Sequence, residues 1–248
     1  PFWWPVKPDL LKAAAHTFGG QFKHEHYKSV YFHHHSDKAD RQYDTYLQAL
    51  ADAINAFARE QDIFTILVGM EQLDRRACEH LNPRLDTEAA LFISDTHQMY
   101  DLVSVLRNCN MMISSRFHAV VTSMPGLVPS IGVTMDERIR NLMNDRGHPD
   151  MFFEVDEKDL AEKLLLTMRR VHRDAPSISA EIGKAVPQQL RLMGQMGLDF
   201  MDEVVRVYPE FPRKDLPRTW EAHLPPLPPA VQRLLEHHGR PHFPTLRF

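Results

Sequence analysis

Tyr100 to Met143 reads YDLVSVLRNCNMMISSRFHAVVTSMPGLVPSIGVTMDERIRNLM. Two apolar runs, NMMIS (110–114) and VPSIGV (128–133), alternate here with helix-spaced stretches over 99–107, from about 116 and from about 136. Short runs that are apolar on both faces, separated by helices, are the mark of parallel strands covered on both sides. The same alternation continues outward. Upstream lie SVYFHH (29–34), then helical spacing at Tyr43, Leu47, Leu50, Ile54 and Phe57, then IFTILVG (63–69) with a helical 72–81, then ALFIS (90–94). Downstream, MFFEV (151–155) precedes a helix from about 157, with Asp156 as its cap, and Pro125-Gly126 closes the helix begun near Arg116. Six β-α units predict an α/β fold built on a doubly wound, mostly parallel Rossmann-like sheet.

The flanks differ from this core. Residues 1–27 are expected to be a linker, 28–175 the Rossmann-like domain, 176–208 a C-terminal helical segment and 209–248 a proline-rich tail. Pro187, Gly194 and Gly197 predict kinks or a break in the helical segment. Half of the chain's 18 prolines lie in the tail, so it should hold no long helix except around Ala230 to His237, and either wraps the domain or is mobile. The opening PFWWPVKP has no initiator Met and no secretory pattern, so a longer precursor is expected, and Trp3 and Trp4 call for a covering partner surface.

Charge narrows the function classes. The 29 Lys and Arg against 33 Asp and Glu give a net charge of -4, so no global field attracts nucleic acid or anionic lipid, and any anion site is local. No apolar run reaches the roughly 18 residues of a membrane span. The two cysteines, Cys78 and Cys109, read as reduced thiols, and a cytoplasmic setting is expected. GxGxxG, GxxxxGK[ST] and HExxH are all absent, which removes support for dinucleotide, P-loop and zincin chemistry.

Ligands of doubly wound sheets sit beyond the carboxyl ends of the strands. After NMMIS comes Ser115-Arg116-Phe117-His118, with Ser114 or Ser115 as N-cap and Arg116 in the first helical turn. A helix start disfavours a cation, a conflict that an anionic ligand would resolve; pairing of Arg116 with a nearby carboxylate would resolve it too. Glu71 and Ser94-Asp95 also follow strands, with Glu71 a candidate cleft residue. His33-His34-His35 follows SVYF, but adjacent residues on a strand point to opposite faces, so the triplet is a poor metal site and no metal is expected.

The ordered string from Tyr100 to Met143 resembles the C-terminal signature of polysaccharide pyruvyl transferases: strand, Arg116-x-His118, the helix Ala119 to Met124, the turn Gly126 to Pro129, the strand Ser130 to Val133, then Asp136 and Arg138. The resemblance implies the C-terminal half of a GT-B-like architecture, with residues 1–27 a linker or remnant of the N-terminal half. It implies a transferase that takes phosphoenolpyruvate as donor substrate, needs no cofactor, and makes a ketal on a glycan or glycan precursor. Arg116 and His118 become the donor-binding and catalytic pair, Arg138 a second phosphate contact, and Ser115, His33, His35 and Glu71 further substrate-binding positions. The family's arginine after the first strand is replaced here by the histidine triplet, with Arg41 the nearest arginine. At a strand end, Arg116→Ala is expected to abolish donor binding and leave the fold intact. Competing expectations are a GT-B glycosyltransferase using a nucleotide sugar, with Asp136 or Glu137 on the ribose, and a non-catalytic glycan-related binding domain. Partners beyond the substrates would be an N-terminal half or a second copy.

Overall fold

The computed structural model of the protein describes residues 37–212 and 217–238, together with 11, 14 and 18. The expected strand 29–34, His33, His35, Trp3 and Trp4 lie outside the described residues.

The described chain alternates helices and short strands: α1 (Asp37–Ala58), β1 (Ile66–Gly69), α2 (Asp74–Leu81), β2 (Ala90–Ile93), α3 (Met99–Arg107), β3 (Met112–Ser114), α4 (Phe117–Ser123), β4 (Ser130–Val133), α5 (Glu137–Asp145), β5 (Phe152–Phe153), α6 (Leu160–Val207) and α7 (Pro229–His238). Every strand pair is parallel, β1 with β2 in one sheet and β3-β4-β5 in another. The single continuous sheet expected from the sequence is thus two ladders among the described residues. Each strand is also shorter than its apolar run. Phe64 explains one case: it is 81 % exposed, so the chain ahead of Ile66 is not yet in the layer.

Apolar burial fixes the layers. All four positions of β4 are buried, as befits a strand with a neighbour on each side and helices over both faces. Leu47, Ala51 and Phe57 of α1 and Leu164, Val171 and Ile182 of α6 join Ile131, Val133, Ile139 and Met143 in one core. Gly132 lets α5 close on β4, since a Cβ there would stand 2.5 Å from the Ile139 side chain.

Two boundaries depart from the sequence reading for local reasons. The helix expected from about 157 begins at Leu160, and its N-cap is Asp159 in the left-handed region (φ 58°), so Asp156 does not cap it. Pro125-Gly126 does end α4, through a 3-10 turn over Met124–Gly126, but the left-handed residue is Leu127 (φ 59°). Gly126 is required for close approach instead, because a Cβ would lie 2.6 Å from the Arg107 carbonyl oxygen.

The expected division at 175/176 does not interrupt the backbone. The 48-residue α6 runs through Pro176 and Pro187, and Gly194 and Gly197 are not breaks in it. Those glycines face the 3-10 turn Trp220–His223: a Cβ on Gly194 would meet the Trp220 carbonyl oxygen at 2.3 Å. Tertiary cover thus keeps residues that weaken an isolated helix. The tail wraps back, with α7 starting at Pro229 and burying Val231 to 5 % exposure.

Candidate functional site at the strand ends

Arg116 is the N-cap residue of α4 rather than part of its first turn. The reason is local: Ser114 Oγ accepts the Arg116 N–H at 3.0 Å, turning the chain just past β3. The guanidinium reaches the end of the other sheet. Its Nε lies 3.0 and 3.1 Å from Asp74 Oδ1 and Oδ2, its Nη2 donates to Oδ1 at 2.5 Å, and its Nη1 stands 3.2 Å from Glu71 Oε1. Asp74 is the first residue of α2 and accepts the Glu71 N–H at 3.1 Å, so the loop after β1 and the loop after β3 are clasped by one cation.

Burial grades this cluster. The Asp74 side chain is 7 % exposed, Arg116 21 % and Glu71 34 %. A buried carboxylate needs its cation, whereas Glu71 holds Arg116 through one longer, wetter contact. Of the two resolutions open to a cation at a helix start, the carboxylate pairing is present. The expectation that Arg116→Ala leaves the fold intact is therefore corrected, since the substitution would strand Asp74.

The other candidate residues spread around this point. Ser115 hydrogen-bonds the hydroxyl of Tyr46, a buried α1 residue whose pKa burial pushes above the ordinary tyrosine range. His118, on the first turn of α4, is exposed, and its ring meets Phe117 edge-on at 5.8 Å. Phe117 also meets Arg138, whose guanidinium sits over the ring, 5.1 Å from its centroid. Arg138 is also paired with Asp136, at 3.0 and 3.1 Å from Nε and 2.5 Å from Nη2, and that hydrogen bonding holds the Asp136 carboxyl below the usual range. Asp136 caps α5 through the Arg138 N–H, and Glu137 pairs with Arg140, so both acids proposed for a ribose are engaged.

Sequence reasoning missed Asp74 and Tyr46. An acid at a helix start is so ordinary that only its contact, 42 residues along the chain, marks Asp74. Burial pushes the Cys78 thiol up to about 12, and both cysteines are free. Among the described residues no group of three or more His, Cys, Asp or Glu could hold a metal ion, and no helix is long and apolar enough to cross a membrane.

The chain matches the family profile described as polysaccharide pyruvyl transferase over residues 9–137, just over half of its length. The match takes in β1 to β4 and both loops clasped by Arg116, and it begins inside the stretch expected as a linker. Neither a curated protein nor a solved structure matches the chain.

Proposed function

Since the chain belongs to the polysaccharide pyruvyl transferase family, we propose that it is a transferase moving the pyruvyl group of phosphoenolpyruvate onto two hydroxyls of a glycan or glycan precursor, in a cytoplasmic setting. The reaction needs no cofactor. Two acceptor hydroxyls add to the central carbon of the donor; one hydroxyl proton ends on the methylene carbon, making a methyl group, and the other leaves with the phosphate as its C–O bond breaks.

The observation that carries this reading is the position of Arg116 and His118. The chain passes from β1 outward to β2, then from β3 outward through β4 to β5. In the reading, the two ladders belong to one doubly wound sheet of the GT-B-like kind, joined across the edges of β1 and β3, with its direction reversing between those strands. That reversal is where such sheets bind ligands, and it is where Arg116 lies against Glu71 and Asp74. In the reading, Asp74 keeps its grip on the Nε edge and fixes the guanidinium. The donor's carboxylate or phosphate replaces Glu71 at Nη1, as planar guanidinium favours. His118 gives and takes the protons, Arg138 turns from Asp136 to the phosphate, and Ser115 lines the site. The same carboxylates favour one second reading, a domain of this family that binds a glycan without turnover.

Calorimetric titration with phosphoenolpyruvate tests the donor. Binding is expected in the full chain and in His118→Gln, with loss of more than tenfold in affinity in the charge-balanced double variant Asp74→Asn/Arg116→Gln. Unaltered affinity in that folded double variant removes Arg116 from the site. Acceptor-dependent phosphate release separates transferase from binding domain.

A further inference from the structure

Beside the Arg116 clasp, at the carboxyl end of β2, lies a cavity of about 580 Å³, within the span of about 300–1,000 Å³ usual for small-molecule sites. Met70 lines it and adjoins Glu71, so cavity and clasp share the loop after β1. We infer that this cavity is the subsite for the neutral sugar ring of the acceptor, a position that rests on the donor reading for its role but not for its chemistry.

Its walls suit an uncharged polyol. Ser94, His97 and Gln98 supply polar groups, while Met70, Met99 and Leu102 supply an apolar patch for the C–H face of a pyranose. The Ser94 hydroxyl is buried with no hydrogen-bond partner among the described residues, a group whose desolvation a ligand hydroxyl would relieve. The loop itself is anchored, since the Ser94 N–H donates to the Gly69 carbonyl at 2.9 Å.

His97 is oriented by its backbone. Its Nδ1 lies 3.2 Å from the Ile93 carbonyl oxygen and 3.0 Å from Thr96 Oγ1, which itself donates to the same carbonyl. A carbonyl only accepts, so Nδ1 carries the hydrogen, and Nε2 of the neutral ring keeps the lone pair that accepts from a hydroxyl. Phe92 packs against the ring at 5.4 Å.

Charge argues against an anion in this cavity. Its one charged lining residue is Asp95, and the neighbouring cation Arg75 is already held by Asp95 at 2.5 and 2.6 Å and by Glu79 at 3.3 Å. With that carboxylate bound in an ion pair and no cation among its lining residues, the cavity offers no charge to hold a phosphate or carboxylate. The anionic donor and the neutral acceptor thus have separate, adjoining places.

Saturation-transfer NMR of the full chain with the methyl hexopyranosides of glucose, galactose and mannose tests this, alongside calorimetry with phosphoenolpyruvate. At least one glycoside should bind. Met99→Trp, a substitution at a side chain 60 % exposed and therefore tolerated by the fold, should weaken it more than tenfold by obstructing the cavity. His97→Gln and Ser94→Ala should each weaken it several-fold, and donor affinity should stay within twofold in all three. Glycoside binding that survives Met99→Trp, or the failure of all three glycosides to bind, overturns the inference; so does a tenfold loss of donor affinity in His97→Gln, which would make the cavity the donor's. Glycoside binding without any donor binding sinks the donor reading alone.

Discussion

Two arginines at opposite ends of the strands show how differently one side chain can be held. At the carboxyl ends Arg116 lies between two carboxylates, Asp74 and Glu71, and keeps 21 % of its side chain exposed. At the amino end of β4, Arg146 is 5 % exposed; its Nη1 donates to Ser130 Oγ at 3.0 Å, while its Nε and Nη2 have no partner among the described residues. Burial holds the Arg146 pKa down to about 10. Nearby, Arg170 pairs with Asp150 yet also leaves Nε and Nη2 without a partner among the described residues, and His148 Nε2 stands 3.0 Å from Glu181 outside hydrogen-bonding geometry. The tip sets two carboxylates against one cation, and on the donor reading it releases one of them to admit the ligand. The floor has more donors than acceptors and can give up nothing.

The largest effect follows from breaking the clasp. Arg116→Met should destabilise the protein by about 3 kcal/mol, because removing one partner of a buried ion pair leaves the other uncompensated. Chemical denaturation reads this directly, and Asp74→Asn in the same chain should recover most of the loss. If the single variant is as stable as the parent, Asp74 does not depend on Arg116 and the tip is not a clasp.

Arg146→Met should move stability the other way. A buried cation whose one polar side-chain contact among the described residues is a neutral hydroxyl bears a desolvation cost that a flexible apolar side chain of similar length avoids, so a gain of about 1–2 kcal/mol is expected. A loss would mean that the unpartnered donors of Arg146 are satisfied in solution, by water or an anion, and the contrast between the two ends would fail.

How much of this contrast could be read in the sequence depends on the range of the forces involved. The strands β1 to β4 and their parallel, helix-separated character were legible because burial on both faces leaves an apolar run that any window detects. So was the strand end at Ser114 to His118. The clasp was not, since pairing Asp74 with Arg116 requires knowing that the loops after β1 and β3 meet, and 33 acidic residues offer the same local pattern. Nor was the continuity of α6, where Gly194 obeys a close approach to Trp220 rather than its own propensity. How the strands divide into sheets was not legible, because apolar runs record burial and say nothing about which edges pair.

A smaller effect would sharpen the account of the tip. Glu71→Gln removes the weaker of the two carboxylates on Arg116 while keeping its shape, so, on the donor reading, phosphoenolpyruvate affinity should rise about three- to tenfold, the scale of a rim charge contact. Calorimetry at low and high salt should show the gain shrinking as screening grows. An unchanged affinity would place the anion elsewhere than at Nη1.

The smallest effect concerns the floor and depends on pH. His148 is 7 % exposed, and burial, helped by the charges of Arg146 and Arg170, holds its pKa below the ordinary histidine value against the opposing pull of Glu181 and Asp150. A depressed folded-state pKa means that the unfolded chain takes up the proton first. The stability His148 contributes is therefore present above the unfolded value of about 6.5 and is lost as pH falls through the lower, folded value. Melting temperatures recorded from pH 7.5 downward should fall less steeply in His148→Gln than in the parent. In Arg146→Met, where one repelling charge is gone, the slope should lie between the two. Parallel curves for all three proteins would mean that the acid sensitivity comes from elsewhere, and that the excess of donors at the floor is not felt by its histidine.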